Sequence, residues 1–502
     1  MKRTISILLL ILFSAVYCFG QKETNYWFFG HNAGLNFSKL QSIRDDSDSW
    51  TNDMPVALSG PIKSSYGCFS LADANGDLLM SSDGAKVYNK NNKRMPNGSG
   101  LKGSSLATQS GIIIPMPGND FKYYLVTVGS KAKNPQDGIN YSIVDMTADG
   151  GLGDVIEKNK PLYNVSTDEN IASVRKPDTD DYWLIHGEYN NSTQKLTVYV
   201  WELTSSGFSA IPKKYSIHVN ILTSVQFGYL KFSSDATRFV SPLGSNNLVL
   251  SGVFNPNTGE VNDIRCRQAW SPSSSSNAYS VEFSFSGEQI FLTDPNNKKG
   301  YHITWDNLRN TPLNVTDINF PLTNIQIASD GRIYGIEKDT RNLYVIMEPE
   351  KGALSDIRKF SNFLTKRVGF GLPTFASTWF APNSNEDNVF CATFCMNMEH
   401  EFTFEIKKDA NADNLSYTIW NFGDDKENCI IKDYDFTPDN KQAHKYTYTC
   451  PGKYTITVRS YDDKDKLLET QTMDIEVSPC VLPLNPNIHL NGVNSISVYR
   501  AE

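Results

Sequence analysis

Apolar and polar residues alternate in short runs along most of the chain, with a period of two that specifies half-buried β-strands. The runs come in pairs. CFSLADANGDLLMSS (68–82), YLKFSSDATRFVSP (229–242), YSVEFSFSGEQIFLTD (279–294) and NIQIASDGRIYGIE (324–337) each read as strand, Ser/Ala/Asp/Gly turn, strand. Weaker copies stand at 112–128 and 172–187. First strands end near Ala72, Pro115, Lys176, Ser233, Ser284 and Ala328, so the unit recurs about every 40–60 residues. Further strand-like runs follow some hairpins, at 194–203 and 247–264. Four short strands in such a period describe one blade of a β-propeller. A lone blade exposes two apolar faces, and stacking blades in a closed ring covers both. GLPTFAS (371–377) opens a seventh hairpin with too little chain behind it to finish a blade. Residues 25–38 supply strand material with no hairpin of their own. The expectation is a ring of seven blades over 21–385, closed by a last blade built from both ends of that stretch.

From about residue 386 the texture changes. Phe402 to Ile406 alternates, Tyr417 to Asp424 forms a strand ending in a turn, and strand-like runs follow at 444–448 and 451–458. Short strands, a buried-type Trp420 and evenly spaced turn signals predict an Ig-like sandwich over 386–480, with a tail at 481–502. The fold class is therefore all-β.

The first twenty residues belong to neither unit. Lys2 and Arg3, an apolar run from Ile5 to Val16, and small residues at Cys18 and Gly20 form a secretory leader (1–20) cleaved after Gly20. The run is shorter than the roughly 18–20 residues that span a bilayer, and no later segment is apolar enough to do so. Acylation at Cys18 is the lesser reading, because bulky Tyr17 precedes it. Export changes how the cysteines are read. Cys391, Cys395, Cys429, Cys450 and Cys480 fall in the last quarter and point to a small disulfide-supported domain there. Cys68 and Cys266 stand alone in strand contexts, as buried small hydrophobes do. A net charge of −8 disfavours a nucleic-acid binder, which carries a basic field.

Candidate chemistry is sparse. No G-x-S-x-G, H-E-x-x-H or S-x-D-x-G-x-x-W box is present, and the seven histidines are scattered. Asp73-Ala74-Asn75-Gly76-Asp77 begins like a calcium loop. However, Leu78 stands where that loop needs Gly, and Gly84 where it needs Glu. The acidic stretch Asp45-Asp46-Ser47-Asp48 reads as a solvated loop, and Tyr182-Trp183 and Trp379-Phe380 as core. The sequence assigns no catalytic, cofactor-binding or metal residue and implies no cofactor. The expectation is a non-enzyme, with a propeller hydrolase as a remote alternative.

Two resemblances add to this. Trp420-x-Phe422-Gly423-Asp424, then His444-x-Tyr446 and Pro451-Gly452-x-Tyr454-x-Ile456, resembles the PKD family. Asp425 stands where that family has Gly, and the stretch from His444 to Pro451 is a couple of residues longer than that family's. The resemblance implies a non-catalytic module, with Trp420 and Asp424 structural. It also sets the loop after Asp424 and the Pro451-Gly452 turn at one end, where Cys429 and Cys450 are candidates for a disulfide. The second resemblance rests on Asn25 to Phe37, Gly67-Cys68 through Asp83-Gly84, Val87, Asn89 and Met95-Pro96-Asn97-Gly98-Ser99-Gly100-Leu101. These are similar to a family of exported Bacteroidota proteins with a propeller and a PKD module. Many relatives end in a type IX secretion sorting domain. The 22 residues after Cys480 are too few for one, which implies retention in the periplasm or at the periplasmic face of the outer membrane. The resemblance implies an accessory subunit docked on the outer-membrane type IX secretion channel, with a protein partner and no transmembrane segment of its own. The alternative is a cell-surface adhesin or glycan-binding propeller protein.

Overall fold

The computed structural model describes residues 22–133, 135–165, 167–221, 227–244, 247–270, 277–310, 315–318, 320–380, 394–395, 399–405, 415–424, 429–435, 441–449, 452–478 and 495–498. The expected leader at 1–20, with Cys18, lies outside them, as do Asp425, Cys391, Cys450, Pro451 and Cys480. The chain divides into two compact units, Met1–Pro382 and Asn383–Glu502.

Among its described residues the first unit holds seven antiparallel sheets. Six have four or five strands and run as meanders. Blade 2 opens on Phe69–Ala72, blade 3 on Gly111–Met116, blade 4 on Ala172–Arg175, blade 5 on Lys231–Phe232, blade 6 on Val281–Phe283 and blade 7 on Asn324–Ile327. Every one of these strands ends within one residue of the position expected from the repeat. Their residues are almost all buried, whereas outer strands such as Lys213–His218 and Thr316–Asp317 are largely exposed. This gradient follows from the architecture. Opening strands of successive blades pack side by side around the axis, while the last strand of each blade forms its rim. The unit is a β-propeller.

Blade 1 departs from the sequence expectation. It consists of Tyr26–Phe29, His31–Arg44 and Trp50–Lys63 alone, in that order, with no strand from 371–380. Its edge strand carries Pro55 and Pro61, residues that cannot donate to a further ladder, so the sheet stops at three strands. Closure comes from hydrogen bonds outside the sheet ladders instead, among them Asp46 N–H to the Lys359 carbonyl at 2.9 Å. Buried Arg332 of blade 7 donates to the carbonyls of Asn52 (3.0 Å) and Asp53 (3.2 Å). Asp46 accepts from the Ser361 amide (2.8 Å) and hydroxyl (2.6 Å) and pairs with Lys359 at 3.2 Å. Arg358 donates to the carbonyl of Trp50 at 2.8 Å. The acidic stretch is therefore a clasp between blades 1 and 7. Asp46, Ser47 and Asp48 are exposed, as a solvated loop requires; the clasp contacts of Asp45 and Asp46 escaped because their partners lie about 300 residues away.

The second unit packs two sheets around Phe402, Phe404, Trp420, Phe422, Tyr448, Ile456 and Val458. One sheet has the order Phe394–Cys395, Leu467–Ser478, Gly452–Asp462, Leu415–Asn421, Ile430–Asp433. The other is Lys441–Thr447, Glu399–Glu405, Ser495–Val498. That last strand falls in the stretch expected to be a bare tail, and it pairs in parallel with Glu399–Glu405.

Candidate functional site

In a propeller the opening strands surround an axis, and that axis is where a site would be built. Here the chain itself fills it. The Phe370 amide donates to the Ser65 carbonyl (2.7 Å), and Cys68 and Pro373 form a parallel bridge. Tyr229 donates its hydroxyl to the Leu372 carbonyl at 3.1 Å, and Asn324 its side-chain amide to Phe370 O at 2.9 Å. Further along, Ser377 Oγ accepts from the Phe232 amide (3.3 Å) and Thr378 Oγ1 from the Arg175 amide (3.0 Å). Residues 370–378 thus touch blades 2, 4, 5 and 7 and run beside the opening strands from their starts to their ends. The segment expected to complete blade 1 runs along the axis instead and joins no sheet.

A close approach explains the glycine beside its start. A Cβ on Gly371 would lie 1.8 Å from the Tyr66 carbonyl oxygen. At the same end Phe370 stacks on Tyr66, with ring centroids 4.8 Å apart and planes 4° apart. Glu169 accepts there from the amides of Thr108 (3.0 Å) and Lys131 (2.8 Å), tying blades 3 and 4 together.

Midway along the axis lies a buried polar cluster. Lys231 pairs with Glu282 at 3.0 Å and donates to Gln326 Oε1. Glu282 also accepts from the amides of Ile327 (3.0 Å) and Phe283 (3.1 Å). The side chains of Lys231 and Glu282 are 5% and 3% exposed. Both charges are matched and the carboxylate is filled, the arrangement a structural ion pair needs. A small crevice bordered by Ser234, Gln326, Ser377 and Phe380 has room for about one water molecule. The cluster was not anticipated, although a signal existed: all three residues stand two places before the strand ends marked by Ser233, Ser284 and Ala328.

The remaining candidates are structural in their surroundings. Asp73 accepts from the amides of Asn75 and Asp77, both at 2.9 Å, so its carboxylate caps its own turn. His186 is wholly buried, with Nδ1 2.9 Å from the Asn170 carbonyl. Burial holds its pKa below the usual histidine value against the pull of that carbonyl and of Asp168. Among the described residues no group of three or more His, Cys, Asp or Glu is placed to hold a metal. None of their helices is long and apolar enough to cross a membrane.

In the second unit Trp420 is fully buried and donates Nε1–H to Gln442 at 3.2 Å. Phe422 stacks on Tyr446 at 4.4 Å, and Asp424 accepts from the Tyr446 hydroxyl at 3.0 Å. Gly423 has φ +70°, and a Cβ there would lie 2.7 Å from the Thr455 carbonyl oxygen. Tyr454 packs on Tyr448 at 4.3 Å, and Gly452 opens its strand. Cys68, Cys266 and Cys429 carry free thiols; Cys450, the expected partner of Cys429, lies outside the described residues. The Asn25–Phe37 motif is the packing of blade 1: Trp27, Phe28 and Phe29 are buried, and Trp27 meets Tyr334 of blade 7 edge to face at 5.9 Å.

Residues 386–477 match the family of the PKD domain. No curated protein matches the chain. Among solved structures the chain is similar to a candidate 6-phosphogluconolactonase from Bacteroides fragilis (11% identity, TM-score 0.41, 69% of this chain and 97% of that one). It is also similar to the periplasmic gluconolactonase of Pseudomonas aeruginosa (11% identity, TM-score 0.34, 78% and 93%). A third similarity is to hydrazine synthase from Kuenenia stuttgartiensis (9% identity, TM-score 0.36, 65% and 95%). The fold assignment rests on the sheets themselves.

Proposed function

We propose that this is a non-enzymatic exported interaction protein, an accessory subunit that docks on the periplasmic side of the outer-membrane type IX secretion channel. The observation that carries the non-enzymatic part is the filled axis. Residues 370–378 occupy the position where a propeller would seat a small substrate, and the crevice beside them has room for about one water. What the ring offers a partner is then its loop faces and rim, a rigid disc suited to covering a wide pore. The choice of partner is supported by the resemblance of 25–37 and 67–101 to exported Bacteroidota proteins of that system.

The test is a tagged protein in its native envelope. The proposal expects the secretion channel in the purified material and no proteolysis of the tag on intact cells until the outer membrane is permeabilised. Cleavage on intact cells, with no channel recovered, would replace the proposal with the surface adhesin or glycan-binding reading.

A further inference from the structure

The PKD match ends at residue 477, and both sheets of the sandwich are built before that point apart from one strand. That strand, Ser495–Val498, sits at the edge of the smaller sheet. Its register is parallel, with Glu401 opposite Ser495, Phe402 opposite Ile496, Thr403 opposite Ser497 and Phe404 opposite Val498. Phe402 and Phe404 are wholly buried in the core, so every second position of a strand added here lies opposite a core residue. The sequence Ser-Ile-Ser-Val meets that period with a β-branched aliphatic at each such place.

The hold on this strand is weak on physical grounds. It has four residues, parallel pairing is less stable per residue than antiparallel, and Pro479 to Asn494 separate it from the preceding strand. Withdrawing it would leave Glu399–Glu405 with an unpaired row of backbone donors and acceptors on that side. We infer that this edge is a strand-acceptor site. It takes an extended segment of a partner polypeptide in which small polar and β-branched aliphatic residues alternate, and the chain's own Ser495–Val498 covers it until that segment displaces it. The inference is independent of the secretion-channel proposal.

A labelled peptide of residues 491–502 is the probe, with fluorescence anisotropy as the readout. It is titrated against the full chain, against the I496P/V498P variant, whose own strand cannot pair, and against a chain ending at Ser478. Both altered chains are expected to bind it at least about tenfold more tightly than the full chain, where the tethered strand competes at high effective concentration. A peptide carrying the same two prolines is expected not to compete. Absence of binding to an altered chain that keeps the parent's unfolding temperature would overturn the inference. Equal binding to all three chains would do the same, since it would place the peptide elsewhere. If truncation unfolds the unit, the double-proline chain decides alone. A dimer of the full chain that disappears on truncation would also overturn it, assigning the edge to a second copy.

Discussion

Lys231 and Glu282 illustrate what a propeller axis demands of a residue. Each opening strand there is enclosed on both faces, so a polar side chain must find its partner on the neighbouring blade. K231M leaves the Glu282 carboxylate buried without its cation and is expected to cost ~3–5 kcal/mol of unfolding free energy in urea titrations. K231M/E282Q removes the stranded charge but keeps an acceptor for only one of the Phe283 and Ile327 amides, and is expected to recover part of that loss. A single mutant as stable as the parent would refute the pairing.

The clasp residues carry a pH signature. Burial would raise the Asp45 carboxyl, but the Ser47 hydroxyl and the Ser49 and Ser47 amides outweigh it and hold it below the usual carboxylate range. The Ser361 hydroxyl and amide, with Lys359, do the same for Asp46 against its burial. A carboxylate held low in the folded state contributes stability that is present above its unfolded value and lost as pH falls through the folded one. Unfolding temperature is therefore expected to drop as pH falls below about 4, and D46N is expected to drop less steeply. Parallel profiles for the two proteins would contradict the clasp.

At the scale of elements, the opening strands were legible because each repeats a fixed pattern: apolar strand, tight turn, apolar strand. What escaped was the use of 371–380. Its composition is that of an opening strand, yet its one ladder contact is the isolated Cys68–Pro373 bridge just before the Phe69–Ala72 strand. A single sequence does not reveal that it lies at the axis and not in a blade, because that depends on contacts with Arg175, Phe232 and Asn324 from blades 4, 5 and 7. The three-stranded limit of blade 1 was written in Pro55 and Pro61, residues with meaning only once the strand is known to be an edge. G371A drives a methyl group into the Tyr66 carbonyl and is expected to destabilise the first unit by about 1–3 kcal/mol, read as a lower calorimetric transition. An unchanged transition would mean the axial segment is not seated as described.

At the scale of the molecule, residues 370–378 fill the propeller axis, and the crevice beside them has room for about one water molecule. The fold class was readable from period and turn residues. The Trp420, Phe422, Gly423 and Asp424 motif was readable from its spacing. The Lys231 cluster, which joins successive blades 5, 6 and 7, was marked only by its shared place two residues before each strand end, and the blade 1–blade 7 clasp was not marked at all, since it joins residues brought together by ring closure. The claim that most needs a direct test is that this protein works as part of a larger envelope assembly. The measurement is the mass, by light scattering, of the tagged protein purified in mild detergent from native envelopes. The account predicts a single species containing one copy of this chain together with the outer-membrane secretion channel. A species with the mass of the lone chain, recovered under conditions that keep the channel intact, would contradict it.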